Sequence, residues 1–96
     1  MELSDYRARI DQIDRQLVEL FAQRMNTAAG IAAYKKEHGL PVLDPVRERE
    51  KLLDVAAQAP EDMRDYTASL YTMLFELSRC YQGRLLGSCL LYTSPS

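Results

Sequence analysis

Residues Ile10–Lys35 read IDQIDRQLVELFAQRMNTAAGIAAYK, and the spacing of their apolar side chains decides the fold. Ile10, Ile13, Leu17 and Leu20 recur at steps of three and four, the period that places side chains on one face of an α-helix. The same steps continue through Arg24, Ala28, Ile31 and Lys35. Two cations therefore interrupt a stripe that should be apolar. A charge on a buried face needs an opposite charge, which comes from the protein or from a ligand. Arg24 and Lys35 are eleven residues apart, about 16 Å along one helix face. Long side chains can lean across that gap toward one small dianion. Acids of a neighbouring helix, or escape of the charged heads into water, would satisfy them as well.

Outward from this stretch, about Asp5 to Glu37 has no proline and few β-branched residues, and Ser4 or Asp5 can cap its start. One helix of roughly 50 Å follows, longer than a compact monomer of this size is wide, so it most simply packs against a copy of itself. His38-Gly39-Leu40-Pro41 ends it, with Gly39 suited to the left-handed residue after the cap. Asp44-Pro45 opens a second helix to about Gln58, with a stripe of Val46, Leu52, Leu53 and Val55 to Ala57. After Pro60 a third helix runs from about Glu61 to Arg84. Its seam is Met63, Leu70, Leu74, Leu77 and Tyr81, with Tyr66, Tyr71 and Phe75 beside it. The fold class is all-α: three helices, long, short and long, in one domain over residues 1–86. Residues 87–96 break the helical pattern and read as a non-native or truncated tail.

Composition narrows the function. The chain has 96 residues, 47% hydrophobic and 27% charged, which is ordinary for a globular domain. Its 12 basic and 14 acidic residues leave a net charge of -2, so no global basic field draws it to nucleic acid or to an anionic membrane. Any anion site must be local. No apolar run reaches the length of a membrane span, and the start MELSDYRAR lacks a signal-peptide core, so a cytoplasmic location is expected. Cys80, Cys89 and the single His38 have neither disulfide-framework nor metal-ligand spacing, and no metal site is expected.

Three further groups carry chemistry. Asp44, Arg47 and Glu48 share one face of the second helix's first turn, as a cap with an ion pair or as part of a site. Ser78 and Gln82 repeat the i, i+4 relation on the third helix, as rim residues or as donors. Arg7 lies seventeen residues before Arg24, about 25 Å along the rod and out of reach of a shared small ligand within one chain. In an antiparallel dimer, Arg7 of one chain approaches Arg24 and Lys35 of the other.

Taken together, Arg7, Asp14-x-x-Leu17 with Leu20, Arg24, Lys35, Leu40-Pro41-Val42 leading to Asp44-Pro45-x-Arg47-Glu48, and Ser78-x-x-x-Gln82 resemble the all-helical chorismate mutase family. The resemblance covers about Leu3 to Arg84. Within it, Leu70–Gln82 looks most like mutase domains fused to the N-terminus of prephenate dehydratases. It implies an intertwined helical homodimer with sites shared between chains, rearranging chorismate to prephenate without a cofactor. Arg7 of the partner chain and Arg24 would hold the substrate carboxylates. Lys35 and Gln82 would donate to the ether oxygen, and Asp44 and Glu48 would meet the ring hydroxyl. Arg47 and Ser78 would complete the polar lining. Lys35, Gln82, Arg24 and Glu48 are the expected catalytic set. The alternatives are a lyase on the same fold that releases pyruvate from isochorismate, and a non-catalytic dimerisation or regulatory module.

Overall fold

One helix sets the long dimension of the molecule. The computed structural model describes residues 1–85, and there α1 spans Leu3–Glu37, 35 residues in a body measuring 54 × 28 × 25 Å. A helix of that length accounts for the long axis by itself. It begins two residues before the expected Asp5 because the cap is Glu2, whose backbone N–H donates to the Asp5 carboxylate at 2.9 Å. Asp5 thus works from inside the first turn, where a negative charge also suits the helix dipole.

The other end closes as the glycine requires. Leu40 N–H donates to the Lys35 carbonyl at 2.7 Å and Gly39 N–H to the Lys36 carbonyl at 3.3 Å, with Gly39 at φ +68. These paired bonds over a left-handed residue form a Schellman motif, and they satisfy carbonyls that the helix leaves open. Lys35 and Lys36 sit in that last turn, the cation-favouring end of the helix.

The second helix, α2, spans Pro45–Gln58, with the Asp44 carboxylate accepting from Arg47 N–H at 3.0 Å and Pro45 at the first position. The expected third helix divides. Glu61–Met63 form a 3-10 turn, closed by Met63 N–H to the Pro60 carbonyl at 2.8 Å, and α3 then spans Arg64–Leu85. Pro60 caps that turn, its carbonyl accepting the tighter bond through which the chain enters α3. Among the described residues there is no strand, and no helix is long and apolar enough to cross a membrane. Residues 87–96, with Cys89, lie outside the described residues.

The packing departs from the expected seams. α3 packs against both α1 and α2, and Ala32, Val55, Phe75 and Ser78 are buried where the three helices meet. On α1 the covered face is Arg24 and Met25, then Ala28 and Ala29, then Ala32, so small side chains let α3 approach closely. On α3 the covered stripe is Tyr71, Phe75 and Ser78, whereas the expected seam residues Met63, Leu70 and Leu77 are exposed. Val46 and Leu53 of α2 are exposed too. Every residue of α1 before Arg24 is exposed, including Ile10, Ile13, Leu17 and Leu20. The apolar stripe of α1 before Arg24, and Met63, Leu70 and Leu77 of α3, thus lie on faces that the described helices leave uncovered, while Arg24, Ala28, Lys35, Leu74 and Tyr81 are partly covered.

Candidate functional site

The interrupted stripe opens into a cavity. Where α1 ends beside the start of α2 and the later half of α3, a hollow of about 860 Å³ brings together Arg24 and Lys35 from α1 with Asp44, Arg47, Glu48, Ser78 and Gln82. Those are seven of the eight side chains singled out in the sequence, drawn from three helices and one cap. A second hollow of about 500 Å³ shares Arg24, Arg47, Glu48 and Phe75 with it and extends toward Leu20 and Gln23. Arg7, the eighth, lies on the exposed part of α1 and lines neither hollow.

Arg24 is held without an acid. Its guanidinium carbon stands 5.3 Å from the Tyr71 ring centroid and 5.5 Å from that of Phe75, and Nη1 donates to Ser78 Oγ at 3.4 Å. Cation–π contacts of this kind are worth about 0.5–2 kcal/mol each, depending on desolvation. Ser78 is 5% exposed and donates in turn to the Met25 sulfur at 3.5 Å, which orients the hydroxyl oxygen toward Arg24. Among the described residues Arg24 makes no ion pair. Its remaining donors stay available at the cavity edge.

Asp44 and Glu48 are engaged differently. One Asp44 oxygen is the α2 cap, which leaves its other oxygen for a further donor. Glu48 receives Arg79 Nη1 on both oxygens, at 2.7 and 2.5 Å, in the ion pair that ties α2 to α3. Five basic side chains, Arg24, Lys35, Lys36, Arg47 and Arg79, face two acidic ones across the cavity. The local balance is strongly positive in a chain of net charge -2. Among the described residues, no three side chains of the metal-ligating types gather to hold an ion.

The sequence reading missed four contributors. Arg79 and Lys36 each adjoin a residue that was singled out, and Tyr71 with Phe75 was placed beside the seam. The signal was present in the steps Tyr71, Phe75, Ser78 and Gln82, which are four, three and four and form one helical stripe.

With this geometry in place, comparison with known proteins is decisive for the family. The description of chorismate mutase type II matches residues 6–83. The chain belongs to that family. All eight singled-out residues, Arg7 through Gln82, fall inside the match. Among curated relatives, the T-protein of Haemophilus influenzae is 44% identical over 46 residues, 48% of this chain and 12% of that protein. A protein named chorismate mutase from Methanocaldococcus jannaschii is 38% identical over 48 residues, 50% of this chain and 48% of that protein. The T-protein of Enterobacter agglomerans is 37% identical over 51 residues, covering 53% and 14%. The chain thus spans less than half the length of each of these relatives. No solved structure matches it.

Proposed function

We propose that this chain is a chorismate mutase, rearranging chorismate to prephenate in a homodimer whose two sites each take residues from both chains. The observation that carries the reading is the cationic cavity lined by Arg24, Lys35, Arg47, Ser78 and Gln82. The reaction breaks one C–O bond as one C–C bond forms within a single molecule, so no nucleophile is required. It requires a dianion folded into a chair-like shape, and fixed cations that grip both carboxylates remove entropy otherwise lost at the transition state. Arg24 and the partner's Arg7 fill that role. As the C–O bond breaks, negative charge gathers on the ether oxygen, where Lys35 and Gln82 donate more strongly than to the ground state. Asp44 and Glu48 meet the ring hydroxyl, while Arg47 and Ser78 complete the lining.

The dimer is supported by α1. Its apolar residues from Leu3 to Leu20 are left exposed by the described residues of the chain. An antiparallel pairing that sets Arg7 between the partner's Arg24 and Lys35 crosses near Val18, the midpoint of those positions. That crossing covers the exposed stripe and completes the carboxylate grip in one step. A fused prephenate dehydratase in the native protein, suggested by the likeness of Leu70–Gln82, would consume the product.

The test is to incubate the purified chain with chorismate and assay prephenate and pyruvate together. Prephenate without pyruvate is expected. Neither product from a helical, dimeric sample refutes the enzymatic reading, and pyruvate without prephenate, from a parallel incubation with isochorismate, moves it to the lyase.

A further inference from the structure

Arg79 has no part in the site as read from the sequence, yet it fixes one member of that site. Its Nη1 bridges both oxygens of Glu48, and the two side chains are 28% and 32% exposed, largely withdrawn from water. Glu48 belongs to the first turn of α2 and Arg79 to α3, so the contact sets a side chain with three rotatable bonds from a different helix. A carboxylate has about four lone-pair sites. One bridging nitrogen uses one site per oxygen and leaves one on each for a hydroxyl in the cavity. The same cavity holds Arg24, Lys35 and Arg47, any of which would attract a loose Glu48 carboxylate and be neutralised by it.

We propose that Arg79 is a positioning residue for substrate binding: it holds Glu48 aimed at the substrate hydroxyl and keeps it from pairing with the cations that grip the substrate. This rests on the mutase reading. Arg79 does not itself touch the reacting atoms. Its loss should therefore act through Glu48, raising KM more than it lowers kcat, because an untethered carboxylate competes for the carboxylate sites.

The experiment is a double-mutant cycle on the full chain with Arg79→Ala, Glu48→Gln and the double variant, measured as kcat and KM for chorismate together with thermal melting. Arg79→Ala should lower kcat/KM by about ten- to a hundredfold, the size of a hydrogen bond to a charged group. In the Glu48→Gln background the same change should have little further effect. Arg79→Lys, which keeps one cationic donor, should recover part of the loss. If Arg79→Ala does not fold, Arg79→Met, which retains most of the stem, replaces it. An undiminished loss in the Glu48→Gln background overturns the proposal, since Arg79 would then bind substrate directly. A lowered melting temperature with unchanged kcat and KM also overturns it, leaving only a staple between helices. No turnover by the unaltered chain refutes the mutase reading and this inference with it, whereas turnover with either preceding result refutes the inference alone.

Discussion

Replacing Leu17 by aspartate tests whether the exposed stripe of α1 is a dimer surface. Ile10, Ile13, Leu17 and Leu20 are 54%, 46%, 58% and 59% exposed, so each has about half its surface left to bury. Complete burial of such a side chain is worth about 1.5–3 kcal/mol, and covering the remaining half contributes about 1 kcal/mol. Four residues on each of two chains give roughly 8 kcal/mol, the free energy of a micromolar complex before association costs are subtracted. Leu3, Tyr6, Val18 and Phe21 are exposed on the same part of the helix and add to the surface available. Leu17 adjoins the proposed crossing, where Leu17→Asp would place two like charges against each other. Lost burial and charge desolvation together should cost at least ~4 kcal/mol per dimer, or about a thousandfold in Kd. Sedimentation equilibrium over a dilution series reads that shift directly, and circular dichroism checks that α2 and α3 remain helical. Turnover should fall in step with dissociation, because the monomer lacks the partner's Arg7. Equal dimer constants for the two proteins, or full activity from a Leu17→Asp monomer, would refute the reasoning.

Further predictions concern the site and its frame. Lys35→Ala should reduce kcat by about a hundred- to a thousandfold, roughly 3–4 kcal/mol, with an unchanged helical spectrum; near-normal turnover removes Lys35 from the mechanism. Mixed dimers of Arg7→Ala and Arg24→Ala chains should regain one working site, measured as activity recovered on mixing with heterodimer formation verified by mass spectrometry. Gly39→Ala should destabilise by about 1 kcal/mol because φ +68 disfavours a side chain even though nothing lies within 4 Å of the added Cβ. That corresponds to a fall in Tm of about 4–8 °C, and an unchanged melt would show that the turn relaxes freely.

The helices were legible because their signals are local. Asp44, Pro45 and Gly39 act on the backbone within a few residues, and the structure uses all three where the sequence placed them. The packing faces were less legible, for a physical reason. Ile31, Leu70 and Leu77 have the period of a buried seam but are exposed, whereas Ala32 and Ser78 are buried. Periodicity reports which face of a helix is apolar and cannot report which chain covers it. Small residues carry little hydrophobic signal, although they decide where two backbones come close. Arg79 was hidden for a related reason: its partner Glu48 is thirty-one residues away, on another helix. Only the fold reveals that pair.

The seating of Arg24 on Tyr71 and Phe75 has a further consequence for how the cavity competes for its ligand. A carboxylate supplied by the protein at that point would be a tethered inhibitor, present at an effective concentration in the millimolar range and never diffusing away. Two aromatic rings offset the cost of withdrawing the guanidinium from water without occupying its N–H groups. An incoming dianion then displaces water instead of an internal rival, and Arg24 enters the encounter with its affinity undivided.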